Sequence, residues 1–195
     1  MKLTPNSFFP GLDFKEINLN DFLKEKQLDY TNPAQIQNEL DNLKYLTYGG
    51  YGENRKDIAK GSYLDETKNY IHLGIDINVP KGTPIYIPFY CKLVGFLQDT
   101  DTDVGWGQRI ILKKDRSRND FLLVLAHLDP KYICNFNCGI LKQQLLGFVG
   151  TWPTNGNTFQ HLHIQCIKQE NINDFDGYGK KRDLKNNPNP FEIEW

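Results

Sequence analysis

Apolar and polar residues alternate through the middle of the chain, and the alternation fades toward both ends. From Tyr70 the run IHLGIDINVPKGTPIYIPFYCKLVGFL steps between apolar and polar positions and is broken by Pro80, Lys81-Gly82 and Pro84. Further β-like runs occupy 109–113, 121–126, 144–150 and 161–167. Short strands with Gly, Pro and Asp turns between them predict a mainly β fold, an antiparallel β-sandwich or half-open barrel. Residues 1–60 read instead as a helical or irregular N-terminal extension. Asn32-Pro33 is a helix start, a capping side chain followed by a residue with no amide hydrogen to leave unpaired. Ile36, Leu40 and Leu43 then share one helical face, and Gly49-Gly50 ends the run. The main domain is expected over 61–170, and the Asn-, Asp- and Lys-rich stretch 171–195 as a surface tail.

Composition narrows the function classes. A chain of 195 residues with 39% hydrophobic and 24% charged residues has room for one well-cored domain plus extensions. Its formal net charge of -1 leaves no electrostatic footprint for nucleic acid or an anionic membrane surface. Lys180-Lys181-Arg182 is an isolated basic cluster, read as solvated. The N-terminal MKLTPNSFFPGLDFKEINL has no apolar core of signal-peptide length, and no run approaches the roughly 18 apolar residues of a membrane span. The chain as read is cytoplasmic, or exported by a non-classical route. Cys91, Cys134, Cys138 and Cys166 form no Cys-x-x-Cys pair. Cys134 and Cys138, in CNFNC, are spaced to pair or bind a metal, but structural thiols are the commoner fate in a reducing compartment.

The four histidines, His72, His127, His161 and His163, all lie in or at the end of apolar β-like runs. There an imidazole needs partners for its ring nitrogens. His161 and His163 are two apart, so on a strand they project to the same face. Such a pair suits one metal ligand and one catalytic neighbour; read alone, it is equally two unrelated half-buried histidines. His72 and Asp76 also share strand parity, but a straight strand separates them by roughly 13 Å. Shared coordination therefore requires a bend, and Gly74 is the residue able to make it. His127 ends FLLVLA before a Leu128-Asp129-Pro130 turn signal, placed to reach into a cleft. Two imidazoles and one carboxylate make a set suited to Zn²⁺, with a fourth position left for water.

In their order, HLGID, AHL and HLH resemble the lysostaphin-type zinc metallopeptidase family, also called the LytM or β-lytic family. VPKGTPIYIP with KLVGF, and LLGFVGTWPTNGNTFQHLHIQ, are similar to the family's framing stretches, so the likeness spans roughly 70–166. YGGYGENR is similar to a branch of the family without export signals. The resemblance implies a lysostaphin-like half-open barrel with a duplicated hybrid motif, and a zinc metallopeptidase domain over 61–170. It implies one Zn²⁺ on His72, Asp76 and His163, with His127 and His161 as the two catalytic non-ligand histidines. Three departures stand out: Gln160 where proline is common, Asp129 where serine is common, and a bulky loop bearing Trp152 and Phe159. These bear on substrate preference, since all five site residues are present.

The activity so implied is endopeptidase cleavage of peptidoglycan stem peptides or cross-bridges by a metal-activated water. One non-ligand histidine would take the water's proton and the other would steady the oxyanion; the sequence does not divide the roles. Two alternatives stay open: a cytosolic zinc peptidase with a non-cell-wall peptide substrate, and a non-catalytic binding or activator module on the same scaffold. A cupin-like metalloenzyme, which also uses two histidines one residue apart, fits the HLGID fragment less well. Oligomeric state is left open.

Overall fold

The Gly, Pro and Asp punctuation cuts the chain into short strands in the computed structural model, which describes residues 1–99, 105–117, 119–133 and 142–195. In chain order the strands are β1 (Phe14–Glu16), β2 (Leu46–Gly49), β3 (Ile71–His72), β4 (Ile75–Asn78), β5 (Pro84–Tyr86) and β6 (Cys91–Gln98). They continue with β7 (Gln108–Lys114), β8 (Phe121–Ile133), β9 (Leu145–Val149), β10 (Leu162–Lys168) and β11 (Tyr178–Gly179). The helices are α1 (Pro5–Phe8), α2 (Leu19–Glu25), α3 (Pro33–Asp41) and α4 (Tyr63–Thr67). Among the described residues no helix is long and apolar enough to cross a membrane.

The larger sheet runs β1-β2-β4-β10-β8-β7-β6, with β9 paired to β8 and β5 to β9. β3 and β11 form a separate two-stranded sheet. The fold is mainly β, as the alternation predicts, but the large sheet is mixed rather than antiparallel throughout. β1 runs parallel to β2, with Phe14 opposite Leu46. A parallel pair needs a crossover, and the segment holding α2 and α3 supplies it.

Apolar residues on the two sheet faces enter different cores. Ile75, Ile77, Leu123, Leu125, Leu162 and Ile164 belong to the largest cluster, while Leu122, Val124 and Ile167 pack on the opposite side. Burying both faces makes the stretch 121–126 of β8 continuously apolar, as expected for a strand covered on both sides. A third cluster joins the N-terminal helices to the loop before β10: Leu19, Leu23, Ile36 and Leu40 pack with Ile58 and Phe159.

Three expectations are corrected. Residues 1–60 carry the helix expected after Asn32, whose side chain accepts from the Gln35 amide at 3.2 Å, but it ends at Asp41 rather than at Gly49-Gly50. They also add β1 and β2 to the large sheet, where Tyr48 lies opposite Ile77 of β4, so the extension is not only helical or irregular. Residues 171–195 do not form a surface tail: Tyr178 of β11 lies opposite His72, and Trp195 is 4% exposed and stacked on Phe89. Their polar composition hid this, because the few apolar and aromatic residues among them are the ones that dock. Finally, no turn ends β8 at Leu128-Asp129-Pro130. The strand kinks at His127, which has a left-handed φ of 64°, and continues with Leu128 opposite Val149 of β9. Of the cysteines, Cys91 and Cys166 are buried in the main core, and Cys134 and Cys138 lie outside the described residues.

Candidate metal centre and active site

β10 lies between β4 and β8, and its register decides which side chains meet. His163 stands opposite Asp76 on one side and Ala126 on the other. Directly opposed residues hold their Cβ atoms about 4.5–5.5 Å apart, so an imidazole and a carboxylate facing one way come into contact. His72 arrives by the bend its spacing demands: the chain leaves β3 after His72, passes Leu73-Gly74, and re-enters the large sheet as β4. Gly74 is needed there for room. A Cβ on it would stand 2.5 Å from Cε1 and Nε2 of His163 and 2.7 Å from the Ile164 carbonyl oxygen. Gly74→Ala is therefore expected to displace the His163 ring and weaken zinc binding while the core strands still form. Titration of the purified variant with zinc against a competing chelator checks this.

Three atoms converge. His72 Nε2 lies 3.2 Å from His163 Nδ1 and 3.4 Å from Asp76 Oδ1, and His163 Nδ1 lies 3.1 Å from Asp76 Oδ1. Zinc bonds of about 2.0–2.1 Å in a tetrahedron put ligand atoms about 3.4 Å apart. The triangle has that size.

The protons around it point outward. His72 Nδ1 faces the Gly50 carbonyl oxygen at 3.1 Å and donates to it, which leaves Nε2 with its lone pair. On His163 the outer nitrogen is set by a chain of amides. Asn187 Nδ2 donates to the Asp183 carbonyl, and Gln165 Nε2 donates to Asn187 Oδ1 at 2.8 Å and to the Asp176 carbonyl at 2.9 Å. Gln165 Oε1 therefore turns to His163 Nε2 at 3.0 Å and accepts its hydrogen, leaving Nδ1 bare. Two imidazole lone pairs and a carboxylate oxygen thus face one another with no proton between them. Such a donor set fits a divalent cation, with outer partners that fix each ring as they do for metal-ligating histidines.

Charge agrees with geometry. Burial opposes ionisation of Asp76, yet His72 and the Arg55 guanidinium hold its carboxyl well below the usual carboxylate range. Burial, with Arg55 beside it, pushes His72 well below the ordinary histidine value. The His72 ring is therefore neutral at neutral pH, the state a metal ligand requires.

His127 and His161 complete the floor of the cleft. His127 Nδ1 donates to the Asn155 carbonyl at 2.7 Å, and His161 Nδ1 to the Phe159 carbonyl at 2.9 Å. Each is left with an unprotonated Nε2. The two ring centroids are 4.4 Å apart, and His161 Nε2 is 3.4 Å from Asp76 Oδ1. The Asn155 side chain donates to the carbonyls of Thr158 and Phe159, so one buried residue ties down the loop that orients both rings. Burial lowers His127 well below the ordinary value, and lowers His161 to about 4 against the opposing pull of Asp76.

A depressed histidine value means that the unfolded chain takes up the proton first as pH falls. The share of stability His161 contributes is complete above 6.5 and is lost as pH falls from 6.5 to about 4. The unfolding temperature of metal-free protein is accordingly expected to drop across that interval, and to drop less in His161→Asn; thermal denaturation at stepped pH checks it.

All five residues expected at the site are brought together, within two overlapping sets able to hold an ion. One is His72, Asp76 and His163; the other is His127, His161 and His163. Only the first contains a carboxylate to offset a divalent charge. Arg55, Asn155, Gln165, Trp106, Tyr30 and Tyr178 also build the site, and spacing singled out none of them. Two carried some readable signal: Gln165 shares strand parity with His163, and Arg55 closes the YGGYGENR stretch. The cleft, of 1150 Å³, is walled by aromatic residues from distant segments, Tyr30, Tyr63, Trp106, Phe159, Phe175 and Tyr178 among them. Trp152 stands at its lining, 63% exposed.

No family model and no curated protein matches the chain. Among solved structures it is similar to the solution structure of lysostaphin at 21% identity and a TM-score of 0.48, covering 69% of this chain and 47% of that one. It is similar to the catalytic domain of the antimicrobial peptidase lysostaphin from Staphylococcus simulans at 22% identity, covering 76% and 96% of the two chains with a TM-score of 0.44. It is also similar to a zinc-containing peptidase from Vibrio cholerae at 19% identity, covering 62% and 32% with a TM-score of 0.46. The chain thus spans less than half of the lysostaphin chain named first.

Proposed function

We propose that this chain is a zinc-dependent endopeptidase of the lysostaphin type, acting on peptide bonds in peptidoglycan stem peptides or cross-bridges. The observation that carries the reading is the triangle of proton-free donor atoms on His72, Asp76 and His163, with two further neutral imidazoles beside it. The HLGID, AHL and HLH motifs support the same assignment. The peptidase unit is taken as 61–170 in a half-open barrel with a duplicated hybrid motif, and both flanks contribute side chains to its cleft.

One zinc ion held by the trio supplies Lewis acidity to a carbonyl and to water at neutral pH. The chain's own groups do the rest. His127 and His161 each present an unprotonated Nε2, so either ring accepts a proton and, once protonated, donates a hydrogen bond to a developing negative charge. Their Nδ1 hydrogens stay on the Asn155 and Phe159 carbonyls, which fixes both rings through the transfer. The cleft's aromatic walls offer apolar surface against which a peptide substrate can pack.

Digestion of purified peptidoglycan and of oligoglycine peptides, with and without a zinc chelator, tests the proposal by mass spectrometry. New peptide termini that vanish with chelator are expected. Cleavage that survives the chelator, or no cleavage of any peptide, overturns it.

A further inference from the structure

We infer that Arg55 is a positioning residue of the metal centre, and that through it the N-terminal segment carrying Tyr30 belongs to that centre. The inference rests on the zinc reading above. Arg55 is 1% exposed, a large charged side chain fully inside the protein. Burial of a cation is tolerated only when its donors are matched, and here they are. Nη2 donates to Asp76 Oδ2 at 2.8 Å, Nε to Glu53 Oε2 at 3.2 Å, and Nη1 to the hydroxyls of Tyr30 at 2.7 Å and Tyr178 at 2.9 Å.

The first consequence concerns the carboxylate. With Oδ2 on the guanidinium, Asp76 has only Oδ1 to offer the ion, the oxygen that faces His72, His161 and His163. Arg55 thus holds the carboxylate to one-oxygen ligation and keeps the centre at three protein donors. The second concerns charge. Asp76 and Glu53 are two buried carboxylates against one guanidinium, so the group carries a net negative charge that a divalent cation offsets.

The third concerns the segment before residue 60. Glu53 Oε1 accepts the Leu19 amide at the start of α2, and the Tyr30 amide donates to the Ile58 carbonyl. Both ends of the α2 region are therefore tied to the Glu53–Arg55 pair, and Tyr30 delivers one hydroxyl to the guanidinium. A lysine cannot reproduce this: its three donors radiate from one atom, without the planar fork that spans a carboxylate and two phenols.

The test uses the full chain, Arg55→Lys and Tyr30→Phe. Zinc stoichiometry and affinity are read by chelator competition, the geometry by the visible spectrum of the cobalt-substituted protein, and folding by circular dichroism. Wild-type protein is expected to bind one zinc. Arg55→Lys is expected to bind it about 10–100-fold more weakly, the usual effect of removing an outer partner of a ligand, with an altered cobalt spectrum as Asp76 gains a second free oxygen. Tyr30→Phe is expected to shift affinity the same way by less. Wild-type affinity and an unchanged spectrum in folded Arg55→Lys overturn the role of Arg55. Should Arg55→Lys not fold, Tyr30→Phe decides: weaker zinc binding supports the coupling, and wild-type affinity overturns it. A wild-type chain that takes up no zinc removes the zinc reading itself, and the inference with it.

Discussion

Asp76→Asn is expected to leave a folded protein that no longer retains zinc and cleaves no peptide. Asparagine keeps the size of the side chain, so Arg55 still finds an oxygen acceptor, but the donor set loses its negative charge. It also places a neutral amide where Oδ1 faced His72 Nε2 at 3.4 Å and His163 Nδ1 at 3.1 Å. His163→Ala is expected to lose the metal as well, because it removes Nδ1, the ring nitrogen left bare when Gln165 Oε1, turned by its bonds to Asn187 and Asp176, accepts the hydrogen of Nε2. Asp76→Ala is harsher: it leaves the buried guanidinium with one carboxylate fewer, and breaking such a pair costs about 3–5 kcal/mol. Its unfolding temperature should fall where that of Asp76→Asn holds better. Metal content by mass spectrometry, paired with thermal denaturation, separates loss of ligation from loss of fold. One equivalent of zinc retained by Asp76→Asn and by His163→Ala after dialysis against chelator would defeat the ligand assignment.

The second large effect should be opposite in metal content. His127→Ala and His161→Ala are expected to keep one zinc and to lose about 10²–10⁴-fold in kcat, the range of a general acid–base contribution. Neither ring is needed for the triangle of His72, Asp76 and His163, yet both neutral Nε2 atoms face the same cleft. The double variant should fall little below the worse single one, because groups that act as a unit do not add. The outcome that would move the register of the last strand is specific: zinc lost in His161→Ala and kept in His163→Ala. His161 Nε2 is also 3.4 Å from Asp76 Oδ1, which makes the comparison a sharp one.

These effects are expected of residues whose placement was partly legible locally. Strand parity put His161 with His163 on one face, and the distance between His72 and Asp76 demanded a bend at Gly74. The bend is there, but its physical content differs from the expectation. Gly74 is needed because the His163 ring fills the space a Cβ would take, a contact that depends on β10 lying beside β4. His127 was legible as a residue reaching into a cleft, though on the premise that the strand ended there. It reaches the site from a left-handed kink inside β8, with Gly150 N donating to its carbonyl oxygen at 2.8 Å.

What the amino-acid sequence determined alone was the set of local periodicities: strands from alternation, the helix after Asn32-Pro33, and five metal- and proton-competent side chains in three short motifs. Those follow from backbone geometry and neighbours a few residues apart. What only the tertiary structure decided was which partners complete those side chains. Arg55 meets Asp76 across 21 positions and Tyr178 across 123, and Tyr30 meets Tyr178 across 148. Nothing local marks such pairs, because a buried charge takes whichever donors and acceptors the packed core brings to it. The polar ends of the chain, unremarkable by composition, become walls of the cleft for the same reason: the β3–β11 pairing and the crossover between β1 and β2 carry Tyr178 and Tyr30 to a buried guanidinium that could not be left alone.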